Sequence, residues 1–210
     1  MKFDQLRAKM RGRLVFRPVD LHGGNVAPPH ETVQFSHWVK ENKLVRLKRG
    51  LYTLPPEEHS TPISALSLAE PLYRPSYISV AWALSHYGLI PEAVGAMTCV
   101  TTLKTARFTN VFGSFLYQHV HPHYFFGFVR QQGETPHWMA LPEKALLDFI
   151  HLTIPASEPL TERMLLDGYR LQNLKNINGS RLKSFLRRFP RPRVQKGGRI
   201  LLRLMENSRD

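Results

Sequence analysis

The sequence predicts an α+β chain: a helical N-terminal block closed by a small hairpin, a mixed middle on a mostly antiparallel sheet, and a basic helical end. Three observations carry this. Apolar residues recur at helical spacing near the N-terminus and again beyond residue 158. Between residues 96 and 140, β-branched and aromatic runs alternate with short Gly-containing turns, the pattern of strands. Lys and Arg crowd both ends and leave the middle mildly acidic.

The N-terminal block reads helix, helix, helix, hairpin. Phe3, Leu6 and Met10 fall at i, i+3 and i+7 and mark one face of a first helix over residues 2–11. A short second helix in VFRPVDLHGG is stopped by Gly23 and Gly24. The third begins in APPHETVQFSHWVKENKL, with Pro28 or Pro29 suited to its first turn and Asn42 to its end. In NKLVRLKRGLYTL, Val45 and Leu47 alternate with Arg46 and Lys48, Arg49-Gly50 turns the chain, and Leu51, Tyr52 and Leu54 return it.

Three short helices followed by a two-stranded wing make the winged form of the helix-turn-helix. On the third helix Phe35, Trp38 and Val39 should face the core; Val33, Ser36, His37 and Lys40 look the other way, with Gln34 and Glu41 on the flank. Such a face can hydrogen-bond base edges and touch a thymine methyl. The expected DNA-binding set is Gln34, His37 and Lys40 nearest the bases, Arg46, Lys48 and Arg49 on the phosphates, and Lys43 beside them. A winged fold that binds only protein is the alternative.

PPEEHSTP, residues 55–62, is Pro-rich and acidic and reads as a linker between residues 1–54 and a second domain over 63–157. That domain should open with helices in ISALSLAE and SVAWALSHYGLIP, the latter capped by Ser79 and ended by Gly88. MTCVTT, RFTNVF, FLYQHVH, YFFGFVRQ and HWMA supply the strands, and PEKALLDFIHL returns to helix. Residues 158–210 form the basic helical region in LTERMLLDGYRLQ, SRLKSFLRRF and RILLRLMEN, broken by Gly179, Pro190 and Pro192; ENSRD should fray.

Charge sharpens the functional reading. The 210 residues carry a formal charge of +13. Residues 1–54 hold 11 Lys/Arg against 4 Asp/Glu, residues 55–160 hold 5 against 8, and residues 161–210 hold 13 against 4. Two cationic ends suggest surfaces for a polyanion, with a solubilising excess as the bland alternative. No apolar run reaches the roughly 18 residues of a membrane span, and the N-terminus lacks a secretory pattern. With one cysteine, Cys99, the chain forms neither an internal disulfide nor a thiolate zinc cluster. The expectation is a soluble cytoplasmic protein.

Several patterns invite chemistry and are outweighed. His119, His121 and His123 would share a strand face, but Pro122 interrupts it and no carboxylate is near, so a surface cluster is the better reading than a metal site. Glu143 and Asp148 diverge by about 140° on their helix, so capping and surface solvation explain them better than a nuclease pair. His86 reads as a packed histidine, Cys99 as an inert buried thiol, and the FLYQ and YFFGF aromatics as core rather than a base-stacking platform. No phosphate loop or nucleophile elbow is present. No catalytic set and no cofactor are expected. In the tail, Leu182, Phe185, Leu186 and Phe189 should bury one face. Arg181, Lys183, Arg187, Arg188, Arg191 and Arg193 then form a second contact, to phosphate or to an acidic partner protein.

PSYISVAWALSHYGLIPE, GSFLYQHVHPHYFFGF and ALPEKALLDFIHL resemble the shared domain of the AbiE-type antitoxins of bacterial type IV toxin–antitoxin systems. FSHWVKENKLVRLKRGLY is similar to the winged segment of that family; together the matches span about residues 3–152. Trp38, Lys48, Arg49, Gly50 and Tyr52 match the winged segment. Tyr77, Ser79, Ala83, Leu84, Gly88, Leu89 and Pro91 match the middle domain, as do Glu143, Lys144, Ala145 and Asp148. The resemblance implies an operator-binding autorepressor, without catalytic residues of its own, that counteracts a nucleotidyltransferase-type toxin. A stand-alone regulator, or an interaction module working through the basic tail, remains the alternative. A homodimer on a palindromic operator is left open, since no self-association motif is visible.

Overall fold

The computed structural model describes residues 1–23 and 28–207. Gly24, expected to share in a helix stop, and residues 208–210 of the expected frayed end lie outside the described residues.

The N-terminal unit follows the expected order. Helix α1, Phe3–Met10, buries Leu6 and Met10. The second helix is a 3-10 turn, Pro18–His22, closed by Gly23 at φ 61°. Pro18 fixes the first dihedral, and the Asp20 carboxylate accepts the Arg17 backbone N–H at 2.7 Å, so a tight turn forms where no long apolar face could support an α-helix. Helix α2, Pro29–Lys40, starts at a proline as expected. Asn42 takes a left-handed φ of 56° just beyond its end. The hairpin β1, Val45–Lys48, and β2, Leu51–Thr53, turns at Gly50, whose φ is 74°. Phe16 and Tyr52 exchange both backbone hydrogen bonds at 2.9 Å and add a third extended segment to the pair. Phe16, Phe35, Trp38, Leu44, Tyr52 and Leu54 join the two α1 residues in a small core.

The rest of the chain is built on one six-stranded sheet in the order β5-β6-β4-β3-β8-β7. Its strands are β3 (Ser76–Ile78), β4 (Ala96–Thr101), β5 (Ala106–Asn110), β6 (Gly113–His119), β7 (Phe128–Gln131) and β8 (His137–Ala140). The two outer pairs and β3–β4 are antiparallel; β4–β6 and β3–β8 are parallel. Three of the five pairings are antiparallel, so the sheet is mostly antiparallel as expected, with two parallel pairings inside it. One of the parallel pairings is made by β3, a three-residue strand in PSYISV with no alternation of its own. It is buried on both faces, as strands next to parallel neighbours are.

Helix α3, Ala65–Leu72, packs on one face of the sheet, where the Ser76 and Tyr117 hydroxyls reach the Ala69 carbonyl. Helices α4, Val80–His86, and α5, Pro142–Leu152, lie on the other. Every residue of α5 from Glu143 to Ile150 is buried, because α6, Gly179–Arg188, and α7, Pro192–Asn207, pack over it. Helix α7 runs straight through Gly197-Gly198 and starts earlier than the apolar spacing of RILLRLMEN alone predicts. LTERMLLDGYRLQ, expected as a full helix, is only a short turn ending in a π-segment, Met164–Gly168. Arg170 and Asn173 adopt left-handed φ of 52° and 56°, and the Gln172 N–H pairs with the Leu89 carbonyl instead.

Candidate nucleic-acid interface and a buried ionic cluster

Packing divides α2 as its sequence predicts. Phe35 and Trp38 are buried and Val39 half-buried, while Val33, Ser36, His37 and Lys40 are exposed. Val33 shows 59% of its surface, an unusual exposure for a branched aliphatic side chain and suited to a thymine methyl. The helix is held at its start by Glu31, whose buried carboxylate lies 2.8 Å from His22 Nε2. Gln34 is not free to read bases as expected: its amide donates to the Met1 carbonyl at 2.7 Å, tying α2 to the chain start.

The hairpin is a wedge rather than a free prong. Leu44, Tyr52 and Leu54 enter the small core, whereas Leu47 and Leu51 enter the large one beside Leu68 and Leu72. Asn110 on the sheet edge donates to the Leu47 carbonyl at 3.3 Å. Lys48, expected on a phosphate, instead places its Nζ 5.1 Å from the Tyr73 ring centre and 4.9 Å from that of Phe108. Burial there pulls its pKa below the usual lysine value. Lys43 pairs with Glu41 at 2.9 Å and lies over the Phe3 ring. Arg46 and Arg49 remain exposed, and among the described residues no carboxylate pairs with either. The 55–62 segment is tied back at its middle: Arg7 and Glu58 form an ion pair at 2.7 Å, and His59 Nε2 lies 2.9 Å from Thr53 Oγ1.

The tail separates into structural and exposed cations. Arg181 binds the buried Glu143 carboxylate at 3.3 Å, and Arg193 donates to the carbonyls of Ala156 and Glu158. Arg188 and Arg191 cover the Phe126 and Tyr124 rings, with the Arg188 guanidinium 4.0 Å from the former's centre. Lys183 and Arg187, one helical turn apart on the solvent face of α6, have no ionic partner among the described residues. Leu182, Phe185, Leu186 and Phe189 bury the opposite face as expected.

The expectation of a solvated Glu143, Lys144 and Asp148 is overturned: all three are buried. Glu143 accepts the Asn178 backbone N–H at 2.8 Å and joins α5 to the start of α6. Lys144 and Asp148, one turn apart, form an ion pair at zero exposure. Tyr77 and Ser79 donate to Asp148 Oδ2 at 3.0 and 2.8 Å, and Lys144 Nζ donates to Tyr77 Oη at 2.9 Å. The rings of Phe126 and Phe189 stand 5.2 and 5.4 Å from the ammonium. Burial drives the Lys144 pKa down against the raising pull of Asp148, and raises that of the Tyr77 phenol.

Ser79 occupies the expected N-cap position of α4, but its hydroxyl serves Asp148 instead of the helix. The turn that aims it there puts Val80, a β-branched residue, at φ 58°, a conformation costing about 1–3 kcal/mol. Every member of the cluster is closed from solvent, so its chemistry is cohesion of β3, α4 and α5.

The remaining candidates are accounted for locally. His119 Nδ1 lies 2.9 Å from the Leu103 carbonyl, and His121 Nδ1 accepts the His123 N–H at 3.2 Å. Among the described residues no three His, Cys, Asp or Glu side chains converge as metal ligands. The Cys99 thiol is buried, which pushes its pKa up. His86 stacks on Trp82 with ring centres 5.5 Å apart yet stays exposed, so it is packed on one side only. Among the described residues no helix is long and apolar enough to cross a membrane.

His151, half-buried against Tyr124 and Phe189 beside the cluster, has its pKa held below the usual imidazole value. Burial is the main cause, and Arg191 and Lys144 add to it against the opposing pull of Asp148. Between the lowered folded pKa and about 6.5, the unfolded chain binds more protons, so stability falls as pH falls through that window. Urea midpoints of the parent and of His151→Phe should therefore diverge on acidification below about pH 6.5, with the parent losing more. Parallel pH profiles would show that His151 does not titrate differently on folding.

Neither a protein-family model nor a curated protein matches the chain.

Proposed function

We propose that the protein is a transcriptional autorepressor of the AbiE antitoxin type, a cytoplasmic protein that binds operator DNA through a winged helix-turn-helix formed by residues 1–54. One observation carries the reading. Helix α2 buries Phe35 and Trp38 and turns Val33, His37 and Lys40 to solvent, with Arg46 and Arg49 exposed on the adjoining hairpin. That is a narrow polar and apolar face for base edges flanked by cations for phosphates. The Phe16–Tyr52 pairing supports it, since a third extended segment beside the wing braces it against the helices. In this reading α2 lies in the major groove, His37 and Lys40 meet the bases, and Arg46 and Arg49 hold the backbone.

Footprinting on the protein's own promoter, followed by salt titration, tests the reading. Arg46→Glu with Arg49→Glu should flatten the slope of log K against log salt by about 0.9 for each phosphate no longer neutralised, for every DNA sequence. His37→Ala should instead alter preference at one base position, by about 1–3 kcal/mol. An unchanged salt slope in the arginine pair would remove the proposed docking.

A second reading rests on Lys183 and Arg187. These two cations on the solvent face of α6, without an ionic partner among the described residues, suit an acidic surface on a partner, such as a nucleotidyltransferase-type toxin. Because α6 and α7 cover the buried helix α5, deleting residues 161–210 would unroof the core, so Lys183→Glu with Arg187→Glu is the cleaner variant. Loss of toxin capture in that variant, with promoter binding intact, would favour this role for the tail.

A further inference from the structure

A cleft of about 570 Å³ separates the hairpin turn and the 13–20 segment from the end of α3 and Leu103. We infer that this cleft binds a nucleoside polyphosphate. Arg13, Arg17, Lys48, Arg49 and Arg74 line it, and Asp20 is its sole carboxylate among the described residues. That carboxylate is already engaged: Arg17 Nη2 lies 3.2 Å from it, and burial, which raises its pKa, is outweighed by the Arg17 backbone N–H and guanidinium and by Arg13. Arg74 is shared with Glu70 at 2.8 Å. Arg13 and Arg49 have no hydrogen-bonded carboxylate among the described residues, so the cleft carries a strong uncompensated positive field.

The walls argue for a nucleotide over a bare anion. Val15, Pro71 and Tyr73 are half-buried and Leu103 is 38% exposed, giving apolar surface beside the arginines. A base and sugar can lie against such surface while the phosphates meet the guanidinium groups. The volume falls in the range of small-ligand clefts, roughly 300–1,000 Å³, and is concave where a duplex backbone would be convex. Lys48 adds to the case: it is partly desolvated over Tyr73 and Phe108, and a nearby phosphate would offset the cost of its charge. One wall belongs to the hairpin and the other to the sheet domain, so a bound nucleotide would bridge the two.

The inference does not rest on the operator reading, because the assay contains no DNA. ATP, adenosine and inorganic tripolyphosphate are titrated calorimetrically into the full chain. ATP should saturate one site and bind at least about tenfold, or 1.4 kcal/mol, more tightly than either of the other two. Arg13→Glu with Arg74→Glu should weaken ATP by about tenfold or more; Arg13→Gln with Arg74→Gln repeats the test if the reversal unfolds the chain. Lys196→Glu with Arg199→Glu, which removes the same net charge from the exposed side of α7, should leave ATP binding unchanged. Absence of saturable ATP binding, equal affinity for tripolyphosphate, or equal loss in the α7 variant would each overturn the inference. So would a cleft variant that weakens promoter binding but not ATP binding, since the cleft would then seat DNA backbone.

Discussion

Asp148→Ala is expected to lower the free energy of unfolding by about 3–5 kcal/mol, the usual cost of leaving one member of a buried ion pair without its counterpart. Three donors converge on this carboxylate: the Lys144 ammonium, the Tyr77 phenol and the Ser79 hydroxyl. Removing it leaves a lysine at zero exposure among Phe126, Phe189 and Tyr77, with the Tyr77 hydroxyl and the ring faces as its remaining partners. Tyr77→Phe should cost less, about 1–3 kcal/mol, because Asp148 keeps Lys144 and Ser79 and Lys144 loses only the Tyr77 oxygen. The double change Lys144→Met with Asp148→Leu should recover most of the single-variant loss, since an apolar pair of similar volume avoids the burial of two charges. Urea denaturation of the four proteins measures all of this. A loss under about 1 kcal/mol for Asp148→Ala would mean that the cluster is hydrated and open.

This cluster marks the limit of what the sequence discloses. The helix in PEKALLDFIHL is legible from its spacing and its leading proline, but its polar positions suggest a solvated side. Their burial follows from α6 and α7 closing over α5, a long-range arrangement that no local pattern reports. A signal is present nonetheless. Lys144 and Asp148 stand one turn apart on a helix whose other positions are mostly apolar. Polar residues at helix-pair spacing in an otherwise apolar helix are candidates for an internal pair as much as for a surface.

The N-terminal unit is more readable because its determinants are local. The Phe35–Trp38 face, the Asn42 stop and the Gly50 turn all depend on residues a few positions apart. What local pattern does not disclose is which polar and basic side chains the fold spends on itself. Gln34 answers a carbonyl at the other end of the unit, and Lys48 answers two rings far along the chain. The same holds in the tail, where Arg181 satisfies the buried Glu143 carboxylate and Arg193 two loop carbonyls while Lys183 and Arg187 stay in solvent. In the sheet, β3 escapes sequence reading because three residues carry no period, and the parallel pairings escape it because β4–β6 skips β5 and β3–β8 joins strands far apart in the chain.

Gly198→Ala is expected to destabilise the protein although it places the best helix former in the interior of α7. On propensity alone the exchange should stabilise by about 1 kcal/mol. The backbone of α7, however, passes so close to α6 that a methyl group at residue 198 would overlap Leu186, lying only 2.9 Å from its Cγ. At residue 197 it would come within 2.7 Å of Ile150 Cδ1 on α5 and 3.1 Å of Leu160 Cδ2. Leu186 and Ile150 are themselves buried, so neither can swing into solvent, and overpacking of this kind costs about 1–3 kcal/mol. The two effects can be separated by a cycle with Leu186→Ala. In that background the overlap is gone, so Gly198→Ala should become stabilising by up to about 1 kcal/mol. Thermal or urea unfolding reads the sign directly. If Gly198→Ala stabilises the parent as well, α6 and α7 do not approach through the glycine pair, and the roof over Lys144 and Asp148 is looser than the packing of these helices requires.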